Sequence, residues 1–187
     1  MVDYIHLFSF GYKYLKKNFN RLGKIKFVHS EGLNVGPVRK NIPVLWDWGC
    51  HELSMIIDLL NAYPISKKLT RLAGENCEKE IAKIELLFPG DISATCLFGN
   101  IAQFKRRDFN VMCESGLISY DGYSMAPPKI ISKNFPVADD QFVLSERTPL
   151  ENVIREFIEL VTTDKKSHFT LDLAVKINEL LSSLKYD

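Results

Sequence analysis

Between Glu80 and Phe98, apolar residues fall on every second position on both sides of a Pro89-Gly90-Asp91 turn. Ala82, Ile84, Leu86 and Phe88 share one face of the first arm, and Ile92, Ala94, Cys96 and Phe98 share the matching face of the second. Successive side chains of a strand point to opposite faces, so this pattern specifies a hairpin with one buried side. Further strands are expected at Ala102–Arg106, Phe109–Glu114, Leu117–Tyr120 and Lys129–Ser132, with Ser115-Gly116 and Asp121-Gly122 as turns. The middle of the chain therefore reads as an antiparallel meander, which disfavours purely parallel and all-helical folds.

The flanking segments carry other periods. Val2–Phe10 is rich in β-branched and aromatic residues and reads as a strand. Tyr12–Leu22 has helical spacing, with Leu15, Phe19 and Leu22 on one side, lysines on the other and Gly23 as a stop. Lys24–Ser30 alternates as a strand with Ile25 and Phe27 on one face, and Glu31–Pro43, with Gly32, Gly36, Pro37 and Pro43, reads as a loop that delivers Arg39 and Lys40. Phe135–Arg147 lacks periodicity and reads as a surface connection. Thr148-Pro149-Leu150-Glu151 is a capping box with proline at the first helical position. It predicts a helix to Thr163 with Val153, Phe157, Leu160 and Val161 inward. Asp164–Thr170 is a polar break, and a last helix, Leu171–Leu184, buries Leu173, Ile177, Leu180 and Leu184.

Composition narrows the function. With 187 residues and 46% hydrophobic content the chain can bury a substantial core. Its 24 basic and 23 acidic residues leave a net charge of +1, so no long-range field favours nucleic acid or an anionic membrane. Cys50, Cys77, Cys96 and Cys113 are far apart with no CxxC pair, which points to a reduced, cytoplasmic setting. No basic region precedes an apolar leader, and Asp58 interrupts the longest apolar run, so neither a signal nor a membrane span is expected.

The stretch Val44–Leu60 carries the candidate chemistry. Trp48, Met55, Ile56, Leu59 and Leu60 recur at helical spacing and Pro64 stands beyond the end, which predicts a buried amphipathic helix. Asp47 sits at its mouth and His51 four residues later, on the same face. A carboxylate that orients an imidazole is the minimum apparatus for moving a proton near neutral pH. Two plainer roles stand beside this one: Asp47 as an N-cap, and His51 as a core histidine. A zinc-protease site is excluded, because the position of its second histidine is Met55.

Taken together, these residues resemble the C-terminal domain of the glucose-fructose oxidoreductase, inositol dehydrogenase and MocA (Gfo/Idh/MocA) family. The resemblance rests on the strand, the Gly23-terminated helix, the strand and Gly-Pro loop, and then Val44-Leu45-Trp46-Asp47-Trp48-Gly49-Cys50-His51. It continues through Ser119-Tyr120-Asp121-Gly122, the Thr148-Pro149-Leu150 helix start and Asp172-Leu173-Ala174. It implies an α+β fold, an open and mainly antiparallel sheet with helices packed on one face. It further implies the substrate-binding half of an NAD- or NADP-dependent oxidoreductase acting on a hydroxyl of a sugar, polyol or nucleotide-sugar. His51 would exchange the hydroxyl proton and Asp47 would orient His51 or the substrate. Arg39, Tyr12 and Lys16 lie on segments that could face the substrate, with surface or packing roles as the alternative for each. Homo-oligomerisation through the sheet is part of the same implication.

The departures are as informative. No Gly-rich turn follows the first segment to cradle a dinucleotide pyrophosphate. The family's catalytic Glu-Lys-Pro is also absent, since Glu78-Lys79 is followed by Glu80. By this similarity residues 1–10 would be the last strand of a missing Rossmann domain and residues 11–187 the substrate-binding and dimerisation domain. A chain of this kind is expected to be inactive unless a separate Rossmann-domain partner supplies the dinucleotide. The alternative is a non-catalytic dimerisation or sugar-binding module of the same descent.

Overall fold

A computed structural model describes residues 1–124, 126–132, 147–163 and 169–186. The expected connection over 135–147 lies outside these residues except for Arg147, as does most of the polar break over 164–170. Seven strands, β1 (Ile25–Val35), β2 (Ser66–Asn76), β3 (Lys79–Phe88), β4 (Ile92–Gly99), β5 (Ile101–Cys113), β6 (Gly116–Asp121) and β7 (Lys129–Ser132), form one open sheet. Their spatial order is β2-β3-β4-β1-β5-β6-β7. The helices are α1 (Phe10–Asn18), α2 (Cys50–Leu60), α3 (Pro149–Thr162) and α4 (Phe169–Ser183). The fold is thus α+β, with helices on one face of a mainly antiparallel sheet.

The hairpin read from alternation is present as β3 and β4, paired Ala82 to Phe98, Ile84 to Cys96 and Leu86 to Ala94. These six side chains are buried under the helices. Gly90 and Asp91 in the connecting turn both have positive φ, 80° and 58°, a conformation that glycine and aspartate tolerate best. The meander is interrupted, however. β1 enters between β4 and β5, parallel to the first and antiparallel to the second. A parallel neighbour needs a crossover rather than a tight turn, and the chain from Val35 through α2 and the β2-β3-β4 hairpins supplies it.

Several expectations are corrected. Residues 2–10 form no strand: Ile5–Phe8 is a turn of 3₁₀-helix and Phe10 already belongs to α1, with Ser9 as its N-cap accepting a bond from the Tyr12 amide at 3.1 Å. Tyr4, Leu7 and Phe8 are buried because the turn plugs the space between helices, a job that suits aromatic and branched residues as well as a strand does. β1 runs to Val35, so the loop shrinks to residues 36–43. A bulge between Ile25 and Phe27 shifts the pattern, and Val28, Ser30 and Gly32 rather than Phe27 form the helix-covered face. The strands expected at 102–106 and 109–114 are one strand, β5, because Arg107 between them is itself buried. β2 left no apolar alternation to read, since only Leu69 of its side chains is buried.

α4 buries Leu173, Ile177 and Leu180, with Leu184 just beyond it, as its spacing predicts. α3 does not follow its own prediction. Val153 is buried, but Phe157 is 54% and Val161 67% exposed. The helix is held by an edge, with Asn152 Nδ2 donating to the Phe8 carbonyl at 3.0 Å, and its apolar stripe of Leu150, Ile154, Phe157, Ile158 and Val161 faces outward.

The C-terminal residues clasp the outer strands. Tyr186 bridges to Leu69 of β2, and its hydroxyl donates to the carboxylate of Glu80, which is fully buried and also paired with Arg71 Nε at 2.7 Å. The Arg71 guanidinium stacks 4.6 Å from the Tyr186 ring centroid. Tyr186→Phe is expected to lower stability by ~1–3 kcal/mol, because it strips a donor from a buried carboxylate and leaves the stacking intact. Equal urea midpoints for the two proteins would show that the hydroxyl contributes nothing.

Candidate active site

Pro43 opens the helix that holds Asp47 and His51, its carbonyl accepting from the amides of Trp46 at 2.9 Å and Asp47 at 3.1 Å. Leu45–Gly49 is a π-helical turn that runs directly into α2. Such turns are rare and concentrate at functional sites. Gly49 lets the turn lie on β4, since a Cβ there would meet Leu45 and the Phe98 ring at 3.3 Å. Asp47 is therefore inside the helix and not its N-cap. The preceding loop is tied to the β2-β3 hairpin by the Val44 amide on Cys77 O at 2.6 Å and the Asn41 amide on Glu78 Oε1 at 2.7 Å.

The tethered loop brings Arg39 to Asp47, with Nε 3.3 Å from Oδ2. Arg39 is half exposed, whereas the Asp47 side chain is largely covered. His51 follows one turn later. Its Nδ1 is buried and has no hydrogen-bond partner among the described residues. The buried nitrogens of a core histidine are normally paired, so this one is poorly explained by packing alone. Burial, then the nearby guanidinium charges of Arg107 and Arg39, push the imidazole down to about 4, and it is neutral at physiological pH.

Nothing in the order of residues pointed to what surrounds His51. His6, on the 3₁₀ turn, packs its ring against His51 with centroids 5.2 Å apart and planes at 80°. Burial, then Arg107 and His51, depress His6 to about 2. Behind the pair lies an ion pair wholly inside the protein. Arg107 Nη1 is 2.8 Å from Glu52 Oε1, and Ser30 donates to the other carboxylate oxygen. Two glycines make the room: a Cβ on Gly32 would lie 2.3 Å from Glu52 Oε1, and one on Gly122 would lie 2.6 Å from Arg107 Cγ. Burial raises the Glu52 pKa, while Arg107 and then the Ser30 bond oppose the rise. Further along β1, Asn34 is 4% exposed with an amide nitrogen that has no partner among the described residues, and its carbonyl oxygen accepts from Tyr123 at 3.3 Å. A charged residue amid apolar helix positions, as Glu52 is, was the available sequence signal.

Tyr12 and Lys16 gather elsewhere. The Tyr12 hydroxyl donates to Asp58 Oδ2 at 2.7 Å, and Lys16 Nζ lies 2.7 Å from both Asp58 oxygens. Asp58 is seven residues beyond His51, ~10 Å along the helix axis. Tyr12 is 1% exposed and forms part of the core. The structure thus unites Arg39, Asp47 and His51 and leaves Tyr12 and Lys16 in a separate cluster.

No protein-family profile matches this sequence, and no curated protein does either. Solved structures do match. An oxidoreductase from Magnetospirillum magnetotacticum MS-1 superposes with a TM-score of 0.82 at 26% identity, over 98% of this chain and 62% of that one. UDP-N-acetylglucosamine 3-dehydrogenase from Acidithiobacillus ferrooxidans gives 0.75 at 14% identity, over 97% and 58%. Myo-inositol 2-dehydrogenase from Lactobacillus plantarum gives 0.73 at 15%, over 96% and 60%. The chain thus spans less than two thirds of each. No helix among the described residues is long and apolar enough to cross a membrane. Order of strands, placement of helices and the extent of these matches agree: the chain carries the C-terminal-domain fold of the Gfo/Idh/MocA oxidoreductases.

Proposed function

We propose that this chain is the substrate-binding half of an NAD- or NADP-dependent oxidoreductase acting on a hydroxyl of a sugar, polyol or nucleotide-sugar. One observation carries the reading: a neutral His51 with an unpaired buried nitrogen stands beside an Arg39–Asp47 pair. In this reading His51 accepts the hydroxyl proton, and Asp47, steadied by Arg39, orients the ring or the hydroxyl. A general base works best when it is unprotonated at the operating pH and within reach of the proton.

The N-termini of α1 and α3 do not fit a dinucleotide pyrophosphate. The N-terminus of α1 is capped by Ser9, and a Cβ at Gly11 would lie 2.1 Å from the Tyr120 ring, so no phosphate has access there. The N-terminus of α3 is closed by its Thr148–Glu151 capping box. NAD or NADP is therefore assigned to a separate dinucleotide-binding half, which this reading requires for turnover. Residues 1–10 would then lie at the junction, with 11–187 as the substrate domain. The outward apolar stripe of α3, on a helix tied to the turn that carries His6, supports such a contact.

The uncovered sheet face supports pairing with a second copy, since Val35, Leu72, Leu87, Phe104, Met112 and Ile131 are each at least 39% exposed. It also favours a second reading, a non-catalytic dimerisation or sugar-binding module. The four free thiols support a cytoplasmic setting. The test is a titration of the isotope-labelled chain with myo-inositol and with UDP-N-acetylglucosamine, followed at the histidine rings by NMR. Saturable shifts at His51 are expected with one of them. Silence at His51 with both ligands, or binding with no NAD(P)H response after addition of a dinucleotide-binding half, would count against the oxidoreductase reading.

A further inference from the structure

We propose that His6 is a positioning residue for His51, its ring packed edge to face on the imidazole so that one side of His51 is fixed and closed to water. The proposal rests on the acid/base reading of His51, but the contact can be measured without turnover.

The turn that carries His6 is anchored on every side. Val2 N donates to Thr170 Oγ1 at 3.1 Å, Asn152 Nδ2 donates to the Phe8 carbonyl at 3.0 Å, and Ser9 caps α1. Tyr4, Leu7 and Phe8 around it are buried. A side chain on so constrained a turn has little freedom to leave its neighbour. Its centroid lies 5.2 Å from that of His51 at 80°, inside the range in which edge-to-face rings attract.

Among the described residues, the charged and titratable groups that face or act on His51 are His6 from the 3₁₀ turn, Arg107 from β5 and Arg39 from the loop, while Asp47, one turn earlier on the same helix, is paired with Arg39. Burial lowers His51 most, and of these groups the two guanidinium charges add to it. His6 stays neutral down to about pH 2, so over the range in which His51 titrates it acts by covering the ring and not by its charge. With His6 packed against one side of His51, the substrate hydroxyl must approach from another side. A second imidazole suits this task because it is flat, polarisable and, at this depth, uncharged.

The experiment is a pH titration of histidine-ring resonances in the chain itself, which has only four histidines. The unsubstituted chain is expected to show a cross-ring NOE between His6 and His51 and a His51 midpoint of about 4. His6→Phe keeps a flat ring and should leave that midpoint in place. His6→Ala admits water and should raise it by ~1 unit or more toward the ordinary ~6.5 of a solvated imidazole. In the complemented enzyme the acid limb of the rate profile should move with it. An absent NOE, an unmoved midpoint in His6→Ala, or an equal shift in His6→Phe would each overturn the proposal. The NOE and the His6→Phe midpoint remain decisive if the alanine variant does not fold. If these shifts appear and His51→Ala still turns over normally, the acid/base reading fails while the ring contact stands.

Discussion

His51→Ala is expected to lower turnover ~10²- to 10⁴-fold when the chain is complemented with a dinucleotide-binding half, the usual contribution of a positioned acid/base group. The loss should fall on kcat more than on KM, because a proton acceptor acts as the hydroxyl ionises and contributes little to ground-state binding. The pH dependence has a definite sign. His51 must be unprotonated to accept a proton, and burial with two nearby guanidinium groups depresses it to about 4. Oxidation should therefore persist as pH falls below ~6.5, where a solvated histidine would already be charged, and fail only as pH drops through about 4. Arg39→Met removes one of the depressing charges, so the acid limb should shift upward. Undiminished turnover in His51→Ala would defeat the assignment outright.

The largest stability effect is expected at Arg107. Its side chain is 5% exposed and that of Glu52 is fully buried, so Arg107→Met strands a carboxylate in the interior. Breaking such a pair from one side costs ~3–5 kcal/mol, whereas replacing both partners with apolar residues of similar volume is often neutral. Glu52→Met/Arg107→Met should thus recover most of the loss, unbranched methionines being chosen because Gly32 and Gly122 leave no room for branching. The penalty should also shrink in acid. Burial already raises the Glu52 pKa above its ordinary value, and loss of Arg107 raises it further. A raised carboxyl contributes stability below its unfolded pKa of ~4.3 that is lost as pH climbs through the folded value. Urea unfolding of the three proteins at pH 7 and near pH 4 measures this. A cost below ~1 kcal/mol at pH 7 would mean that water reaches Glu52.

The two expectations differ in what could have foreseen them. Asp47 and His51 are four apart in a stretch of helical spacing, so the candidate pair could be named from local order, whereas the π-helical turn that holds Asp47 could not. The Glu52–Arg107 pair joins residues 55 positions apart. Its members resemble ordinary surface charges, and Arg107 even disguised β5 as two strands. His6 was hidden for another reason: an aromatic, β-branched segment suits a strand and a buried 3₁₀ plug equally, and only its surroundings choose.

Alternation in β3 and β4, the capping box of α3 and the buried stripe of α4 were fixed by short-range rules, because periods of two and 3.6 and the conformational limits of single residues are local physics; the expected helix to Leu22 instead ends as α-helix at Asn18, and Gly23 closes the 3₁₀ turn Phe19–Leu22 that follows it. Tertiary structure decided the insertion of β1 between β4 and β5, the outward turn of α3's apolar face and the gathering of Tyr12 and Lys16 on Asp58 in place of His51. It also decided that His51 is neutral. Burial and the charges of Arg107 and Arg39 set that state, and such contacts between distant segments exist only once the chain has closed on itself.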